Sequence, residues 1–447
     1  MFTTDDSIVA VATPPGRGGI GVVRISGSTS REIAAAMLTR REPLEARRAT
    51  FTHLIGKNTS VIDEVVVTYF PAPHSYTGEH VVEISAHGNP VVLRAIVGRA
   101  LEVGARLAEP GEFTLRAFLN GKRDLVQAEA VADLIAAATP VQARVACDQL
   151  EGTLTHHIAE IDAELFSLIA RLEASLDFPD EGYHFIESEE TGRQVGVVLG
   201  QLDRLLAGAG RGRLIREGAT VVVAGRPNVG KSSIFNVLAR ADRAIVAEAA
   251  GTTRDLVSER IDIEGLEVTL VDTAGLREAV DTVEREGISR AQRAGDVADL
   301  LLLVLDGSEP LTGEDEHLLA RTVDRRRVVV ANKSDLRMAI DRQTDVRVSA
   351  RTGTGADELR RAIVRELTGE ESLRDSAAIS NMRHIALLEQ ARTRLVAARE
   401  LVEAGETPEE FVLADLQAAR ALLEEVVGTR TSEELLQHIF AKFCVGK

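Results

Sequence analysis

The chain has 447 residues, enough for two to four domains, and 45% of them are hydrophobic, so it can bury substantial cores. Its formal net charge of −17 disfavours general binding to a nucleic-acid backbone, so any RNA partner requires a confined basic patch or a helper subunit. Two cysteines, Cys147 and Cys444, are too few for a disulfide framework.

Neither the N-terminal segment nor the most apolar stretch indicates a membrane protein. The start, MFTTDDSIVAVATPPG, lacks a basic segment followed by a long apolar run. The most apolar stretch, at 300–305, is too short to cross a bilayer. We therefore expect a cytoplasmic protein with no membrane partner.

The predicted elements change character along the chain. Residues 1–120 hold short β-branched runs (IGVVRIS, DEVVVTYF, HVVEIS) and one helical stretch at 90–103, which predicts a small α+β domain. Residues 121–217 have the pattern of long amphipathic helices, with one apolar stripe formed by Leu125, Ala128, Val131, Ala132 and Ile135. Strand, loop and helix alternate over 218–372, and the helical pattern returns over 373–447. We predict a multidomain α/β protein in which a Ras-like P-loop domain is inserted into an all-helical central domain.

The run GRPNVGKS, from Gly225 to Ser232, has the spacing G-x-x-x-x-G-K-S after a β-branched strand and before a helix. Glycines at these places let backbone amides surround phosphates, and the helix N-terminus adds a positive dipole end. Lys231 would reach the outer phosphates, and the Ser232 hydroxyl would bind Mg²⁺. The alternative, a glycine-rich turn with an incidental lysine, does not require this strand–loop–helix context.

Three further motifs follow in the order of a guanine-nucleotide site. VTLVDTAG ends a buried strand at Asp272 and turns at Gly275, whose amide can sense a γ-phosphate. RRVVVANKSD brings Asn332, Lys333 and Asp335, and the Asp335 carboxylate can accept two hydrogen bonds from the N–H edge of guanine. Adenine lacks that edge, so the wrong base would leave a buried acceptor unpaired. VRVSA then brings Ser349 and Ala350 to the base.

The residue that orients the attacking water is not evident from these motifs. Ras-like GTPases place a Gln directly after the D-x-x-G glycine, where this chain has Leu276. The next segment offers four carboxylates that the motifs alone cannot separate, and each can equally be part of a solvated helix face: Glu278, Asp281, Glu284 and Glu286. Thr252 and Thr253, after Gly251, are candidates for closing over Mg²⁺ as a switch.

Several longer strings resemble a known family. GRPNVGKSSIFN, AGTTRD and DTAGLRE are similar to GTPases in which a hydrophobic residue replaces the catalytic Gln. IVAVATPPGRGGIGVVRISG, GEFTLRAFLNGK and the terminal FCVGK narrow the resemblance to the MnmE (TrmE) family of tRNA-modification GTPases, over nearly the whole chain.

The resemblance implies a homodimer held by N-terminal domains that carry a folate such as 5-formyltetrahydrofolate. It implies a complex with the FAD-dependent protein MnmG (GidA) that adds an aminomethyl or carboxymethylaminomethyl group to carbon 5 of the wobble uridine in certain tRNAs. It also implies GTP hydrolysis that needs K⁺ and transient pairing of the two GTPase domains.

Site residues follow from the resemblance by motif. The resemblance assigns the water-orienting role to Glu284 and Mg²⁺ binding to Ser232 and Thr253. It assigns K⁺ binding to Asn228 together with the backbone oxygens of Ala247, Ala249 and Thr252. The folate positions are Arg24, Glu83, Lys122 and Lys447. Without the resemblance, the local sequence pattern predicts that Arg24 and Glu83 are ordinary surface residues at the ends of strands. The predicted GTP contacts are Asn228, Val229, Gly230, Lys231, Ser232, Ser233, Ala247, Glu248, Ala249, Ala250, Gly251, Thr252, Thr253, Asp272, Thr273, Ala274, Gly275, Asn332, Lys333, Asp335, Ser349, Ala350 and Arg351.

The chain departs from the family pattern beside the predicted folate strand. His80 stands where the family often has an acidic residue, and Asn89 stands where it often has glycine. The exact pocket contacts therefore follow less directly than those of the GTPase domain.

Two other functions remain to be weighed against the tRNA-modification enzyme. A GTP-dependent regulatory switch in ribosome assembly would normally carry a basic RNA-binding module, whereas this chain ends in the acidic run TSEELLQH and AKFCVGK. A membrane-remodelling stalk would need a basic or apolar lipid-binding loop, which the sequence does not offer. Cys444 could be a reactive thiol or a small residue packed at a helix end.

Overall fold

The computed structural model describes residues 5–177, 187–241, 258–272, 298–370, 379–404 and 409–447. Contacts between Cα atoms divide the chain into two compact units. The first unit holds residues 1–132, 150–158 and 421–447, and the second holds 133–149 and 159–420. The boundaries predicted at 120, 217 and 372 stay predictions. Among the described residues, no helix is long and apolar enough to cross a membrane.

The described strands and helices are numbered separately in chain order. The strands are β1 (Ile8–Val11), β2 (Ile20–Ser26), β3 (Thr50–Ile55), β4 (Val61–Phe70), β5 (Val81–His87), β6 (Arg106–Leu107), β7 (Ala219–Ala224), β8 (Ser258–Ile263), β9 (Leu266–Asp272), β10 (Leu300–Asp306), β11 (Arg327–Asn332) and β12 (Val346–Arg347). The helices are α1 (Ser30–Met37), α2 (Pro90–Glu102), α3 (Glu112–Leu119), α4 (Leu125–Ala136), α5 (Pro140–Leu150), α6 (Thr153–Asp177), α7 (Ser188–Leu206), α8 (Ala209–Glu217), α9 (Lys231–Ala241), α10 (Gly313–Arg321), α11 (Ala356–Thr368), α12 (Met382–Ala404), α13 (Glu409–Val427) and α14 (Glu433–Phe440).

The first unit is built on a six-stranded sheet in the order β3-β4-β5-β2-β1-β6. Neighbouring strands are antiparallel except β1 and β6, which are parallel. The three β-branched runs predicted as strands lie in β2, β4 and β5, and the helix predicted at 90–103 is α2, so these predictions are confirmed. Asn89 begins α2 by accepting a hydrogen bond from the Val91 amide on its side-chain oxygen at 2.9 Å, and Pro90 suits the first helical position.

One face of this sheet forms the core of the first unit. Alternate strand residues such as Val65, Val67 and Ile84 are buried there, as the two-residue period of a half-buried strand requires. They pack against Ile33 of α1 and Ile96 of α2. The sheet therefore presents its opposite face, which carries Arg24 and Glu83, for other roles.

The C-terminal segment returns to the first unit. Phe440 and Phe443 pack in one apolar cluster with Leu125 and Ala128 of α4. The amide of Phe113 donates to the main-chain oxygen of Lys447 at 3.1 Å. Ile135, predicted to share the apolar stripe of α4, is instead 50% exposed, because it lies beyond the part of the helix that this cluster covers.

Helices from both sides of the strand–helix alternation pack together in the second unit. α7 lies along α12, where Arg392 and Asp203 form an ion pair of 2.5 Å. Arg420 of α13 forms another with Asp162 of α6, at 2.9 Å. Because the residues between these helices form the second sheet, the α/β domain is inserted into the helical one. The predicted fold class is confirmed.

The inserted domain has a six-stranded sheet in the order β12-β11-β10-β7-β9-β8. All neighbouring strands are parallel except the antiparallel hairpin β8–β9. Every residue of β10 is buried, as expected for a central strand covered on both faces. The carboxyl ends of β7, β9, β10 and β11 therefore meet at one edge, where ligands of parallel α/β sheets bind.

The β8–β9 hairpin is anchored at the start of α5. The Thr139 hydroxyl donates to the main-chain oxygen of Gly265 at 2.8 Å, and the Gln142 side-chain amide donates to Glu267 at 3.0 Å. Gly265 has φ 92°, which suits glycine at this turn. β9, which ends at Asp272, is thus fixed to a helix outside the inserted domain.

Candidate functional site

The loop between β7 and α9 has the backbone of a phosphate loop. Gly225 has φ 150°, and a Cβ there would lie 2.3 Å from the main-chain oxygen of Val304. Gly230 has φ 97°, and its Cβ would lie 2.2 Å from the side-chain nitrogen of Asn332. Both positions require glycine for conformation and for space. Asn228 between them has φ 64°, a left-handed conformation that Asn tolerates better than most residues.

The first turn of α9 carries the two residues predicted to meet phosphate and Mg²⁺. The Lys231 ammonium donates to the main-chain oxygen of Arg226 at 2.9 Å, so it folds back over the loop. The Ser232 hydroxyl donates to the Asp272 carboxylate at 2.8 Å. Asp272 is buried at the end of β9, and Val229 is buried inside the loop. Ser233, by contrast, is exposed on α9. The structure therefore brings the P-loop and Asp272 together as predicted.

These oxygens fit a magnesium ion held mainly by phosphates. A hydroxyl and a carboxylate are hard ligands, and Mg²⁺ commonly takes one or two protein oxygens and completes its shell with phosphate and water. Among the residues that the structure describes, no group of three or more His, Cys, Asp or Glu side chains could hold a metal ion by itself. Ser232 and Asp272 therefore match a nucleotide-dependent metal site.

Asn332 connects the predicted base site to the phosphate loop. It ends β11 with 2% of its surface exposed. Its side-chain nitrogen donates to the main-chain oxygen of Val229 at 2.8 Å, and its side-chain oxygen accepts from the amide of Ala350 at 3.1 Å. One side chain thus fixes the distance between three segments that lie far apart in sequence.

The base-recognition carboxylate is held from both sides. Asp335 accepts a hydrogen bond from the Ser349 hydroxyl at 2.7 Å and forms an ion pair of 2.7 Å with Arg351. The Ser349 hydrogen bond and the nearby Arg351 charge hold the pKa of Asp335 below its ordinary value, so it is an ionised acceptor at neutral pH. Arg351 is 76% exposed and can move aside when a base binds.

Sequence reasoning missed two contributors to this site. Asp306, at the end of β10, accepts from the Lys333 ammonium at 2.5 Å. Arg226, inside the P-loop, donates to Glu309 at 2.6 Å. The run LLLLVLD ends in aspartate as VTLVD does, and this parallel was the available signal for Asp306.

Part of the predicted site lies outside the described residues. This part comprises Ala247, Glu248, Ala249, Ala250, Gly251, Thr252, Thr253, Thr273, Ala274, Gly275 and Glu284. Leu276 and the carboxylates Glu278, Asp281 and Glu286 also lie outside them. Their roles stay predictions.

A second cluster of charged and aromatic groups lies on the first unit. Arg24 of β2 and Glu83 of β5 are cross-strand partners in mid-strand, so the expectation that they end strands is wrong. The Arg24 guanidinium donates twice to one Glu83 oxygen, at 2.9 and 2.8 Å. It also lies over the rings of Tyr76 and Phe113, 4.9 and 5.6 Å from their centroids.

One donor of this cluster has no hydrogen-bond partner among the residues that the structure describes. It is the NH1 nitrogen of Arg24, which is buried. A buried donor without a partner is costly, so such groups are normally satisfied by water or a ligand. The sequence did not identify Tyr76, Phe113 or Arg123, the last of which lies 5.4 Å from the Tyr76 ring.

The two lysines predicted for folate reach this neighbourhood by different routes. Lys122 packs close to the turn at Gly78, where a Cβ would lie 3.1 Å from the Lys122 side chain. Burial and the Arg24 charge lower the pKa of Lys447, against the smaller opposing effects of Glu83 and Cys444. Cys444 itself is exposed and free. Arg24, Glu83 and Lys447 therefore form one electrostatic group.

The two departures from the family pattern have local partners. His80 shares a hydrogen bond of 2.7 Å between its Nδ1 and the Tyr69 hydroxyl, and the Ala72 amide donates to the same nitrogen at 3.2 Å. Asn89 caps α2. Neither residue takes part in the Arg24–Glu83 pair.

Comparisons with known proteins agree with this geometry. The family model for the GTP-binding protein TrmE N-terminus matches residues 7–122, and that for the MnmE helical domain matches residues 125–444. A curated tRNA modification GTPase MnmE from Koribacter versatilis is 44% identical over 452 residues, covering 99% of both chains. Relatives of the same name from Aromatoleum aromaticum and Nitrosomonas europaea are 45% and 42% identical, covering 99% and 100% of this chain and 98% and 100% of theirs. With its P-loop, its guanine-type base site and its inserted α/β domain, the chain belongs to the MnmE family of tRNA-modification GTPases.

Proposed function

We propose that this protein is a K⁺-dependent GTPase that modifies the wobble uridine of certain tRNAs together with an FAD-dependent partner of the MnmG type. The reaction adds an aminomethyl or carboxymethylaminomethyl group to carbon 5 of the uridine and takes its one-carbon unit from a folate. The observation that carries the proposal is the bridge from Asn332 to Val229, which joins a guanine-type base site to a phosphate loop.

Catalysis at the nucleotide site depends on positioning and charge. Backbone amides around Gly230 and the N-terminus of α9 cradle the phosphates, and Lys231 turns from Arg226 to the β and γ phosphates. Ser232 and Thr253 would hold Mg²⁺, which would supply positive charge beside the phosphate oxygens. Glu284 orients the attacking water in place of the missing Gln. Thr253 and Glu284 lie outside the described residues, so their roles rest on the resemblance.

The K⁺ dependence is supported by Asn228. This residue lies in the middle of the P-loop with φ 64°, and its amide oxygen is a ligand that hard cations accept. A monovalent cation beside the phosphates would supply the charge that an arginine finger gives other GTPases, where that charge is worth about 10³–10⁵ in rate. Hydrolysis that is equally fast in Na⁺ and K⁺ would contradict this part of the proposal.

The folate site is supported by the chemistry of the Arg24 cluster. The carboxylate of Glu83 can accept hydrogen bonds from the amino and amide edge of a pterin, and the buried NH1 of Arg24 can donate to a ligand carbonyl or carboxylate. Tyr76 and Phe113 supply aromatic surface for a flat ring. Lys122 and Lys447 suit the acidic tail of a folate. The bound folate supplies the one-carbon unit.

The homodimer is supported by apolar side chains on the open face of the first sheet. Phe51 and Val66 are direct cross-strand partners, and they are 65% and 39% exposed. Ile20, on β2, is 70% exposed. Phe51 and Val66 are adjacent, and adjacent exposed apolar groups mark interaction surfaces more often than isolated ones do. The MnmG-type partner rests on the resemblance alone.

The proposal is tested by nucleoside analysis of tRNA from a bacterial strain that lacks its own MnmE. We expect this chain to restore the modified wobble uridines. The variant Lys231→Ala should not restore them, because it removes a phosphate contact, whereas Glu316→Gln, an exposed charge change on α10, should. Persistent unmodified uridine with the wild-type chain expressed and folded would refute the proposal.

A further inference from the structure

Asp306 is a buried carboxylate for which the motifs of the nucleotide site give no role. Its side chain is 3% exposed at the end of β10. It accepts hydrogen bonds from the Lys333 ammonium at 2.5 Å, the Ser308 amide at 3.0 Å and the Ser308 hydroxyl at 2.6 Å. Burial favours the neutral acid, but these donors outweigh it and hold the pKa of Asp306 below its ordinary value.

The partner of Asp306 occupies the critical turn of the base site. Lys333 follows Asn332 and has φ 63°, a left-handed conformation that lysine rarely adopts. Such a conformation persists only where its surroundings hold it. The Asp306 carboxylate forms an ion pair with the Lys333 side chain, and this pair stabilises the turn that leads to Asp335.

The backbone after Asp306 is packed against the same turn. The Gly307 amide donates to the main-chain oxygen of Asn332 at 2.8 Å. A Cβ at Gly307 would lie 2.8 Å from that oxygen, so the strand end and the turn fit closely. We call residues 306–309 the brace segment, because both ends of it contact the nucleotide site.

The other end of the brace segment supports the phosphate loop instead. Glu309 accepts from the Arg226 guanidinium at 2.6 Å, and Asp315 lies 3.3 Å from the same group. The main-chain oxygen of Arg226 in turn accepts from Lys231. The two acids of the brace segment therefore act on different halves of the site.

We propose that Asp306 is a positioning residue for guanine recognition. It fixes the Lys333 turn, and through that turn it sets where the Asp335 carboxylate meets the 2-amino group and ring N–H of the base. Glu309 supports the phosphate loop and has no part in choosing the base. This inference rests on guanine-nucleotide binding at the site.

The test uses the full chain and compares GDP with inosine diphosphate, which lacks the 2-amino group. Calorimetry gives the dissociation constant of each nucleotide with Mg²⁺ present. Asp306→Asn should narrow the preference for GDP over inosine diphosphate by about tenfold, because a displaced Asp335 loses part of a charge-assisted hydrogen bond to the 2-amino group. Glu309→Gln should change both affinities by the same small factor and leave the preference unchanged, because Glu309 is 56% exposed and Asp315 still pairs with Arg226.

Two further variants complete the test, one as a charge-matched control and one as a milder change beside Asp306. Glu316→Gln, exposed on α10, has the same charge change and should behave like the wild type. Ser308→Ala removes one donor to Asp306 and should narrow the preference in the same direction by a smaller factor, which keeps the test available if Asp306→Asn does not fold. An unchanged preference in folded Asp306→Asn, or in Ser308→Ala if only that variant folds, would overturn the inference while leaving the GTPase assignment intact. A wild type that binds neither nucleotide would overturn the assignment itself.

Discussion

The side chain of Asn332 donates a hydrogen bond of 2.8 Å to the main-chain oxygen of Val229, so the end of β11 is tied to the P-loop. Because Asn332 also accepts from Ala350, the segments that meet the phosphates and the base form one connected arrangement. A change at this junction should therefore affect the whole nucleotide and not one end of it.

Gly230→Ala tests this junction. A Cβ at position 230 would lie 2.2 Å from the Asn332 side-chain nitrogen, and the φ of 97° is unfavourable for alanine. We expect GDP affinity to fall by roughly 10²-fold or more, since both halves of the site are displaced. Gly196→Ala is the control, because that helical glycine has open space around it and alanine should stabilise α7 by roughly 0.5–1 kcal/mol. Calorimetric GDP affinity near the wild-type value in Gly230→Ala would contradict the role of the junction.

Asp335→Asn tests base recognition. The variant replaces an ionised double acceptor, and two hydrogen bonds to a charged group are worth about 1.5–3 kcal/mol each, so GDP affinity should fall by about 10²–10⁴-fold. Xanthosine diphosphate, which has a carbonyl in place of the 2-amino group, should gain affinity, because the Asn amide can donate to it. Asp341→Asn, in an exposed segment, is the matched control. Equal GDP affinities of Asp335→Asn and Asp341→Asn would exclude Asp335 from the base site.

Arg24→Met tests the proposed folate site. It keeps a long apolar side chain between Tyr76 and Phe113 but removes the buried donor and leaves Glu83 without its ion pair. Truncating one partner of a fully buried charge pair commonly costs about 2–5 kcal/mol of binding. Because 13% of the Arg24 side chain and 30% of the Glu83 side chain are exposed, we expect a smaller loss, with 5-formyltetrahydrofolate bound roughly 10–10³-fold more weakly.

The control for the folate prediction is Arg31→Met. Arg31 also lies over an aromatic ring, that of Tyr69, at 5.1 Å, but it belongs to α1. Fluorescence titration with the folate should give wild-type affinity for Arg31→Met. If Arg24→Met bound the folate as tightly as Arg31→Met does, the cluster would not be the folate site.

Arg116→Met tests what stabilises the first unit. Arg116, with 1% of its side chain exposed, forms ion pairs with Asp6 at 2.6 Å, Glu112 at 2.9 Å and Glu79 at 3.1 Å. Breaking buried pairs by removing one partner costs about 3–5 kcal/mol, which lowers the melting temperature of a unit this size by roughly 6–20 °C. Arg48→Met breaks only the exposed pair with Glu45 and should change the melting temperature little.

The same network fixes the pH dependence of that transition. Hydrogen bonding to Arg106 is the main cause that lowers the pKa of Asp6, and donors from Arg106, Glu109 and Arg116 lower that of Glu112 against the effect of burial. Folded-state values below the unfolded ones mean that this stabilisation is complete above about pH 4–5 and is lost as the pH falls through the lowered values. Arg116→Met should lose less stability than the wild type between pH 6 and pH 3 in calorimetric scans. An equal loss of stability between pH 6 and pH 3 in the two proteins would contradict this role of Arg116.

The sequence was sufficient wherever chemistry depends on residues close together in the chain. The spacing from Gly225 to Ser232 identified the phosphate loop, because the strand, the loop and the helix are consecutive. β-Branched runs identified β2, β4 and β5 for the same reason. Asn332 and Asp335 were found because they belong to one short motif.

Contacts between distant residues could not be predicted in this way. Arg24 and Glu83 are 59 positions apart and meet only through the register of β2 against β5, so their mid-strand pairing was missed. Asp306 meets Lys333 across 27 positions because two parallel strands end at the same edge. Tyr76 and Phe113 pack against Arg24, and no local sequence pattern predicts this contact.

The most direct measurement of the central claim is a calorimetric titration of the wild-type chain with GDP and with ADP, in the presence of Mg²⁺. Because Asp335 is an ionised acceptor in a base site that Asn332 ties to the phosphate loop, we predict one GDP bound per chain and ADP weaker by roughly 10²-fold or more. Equal affinity for the two nucleotides, or no binding of GDP by folded protein, would contradict it.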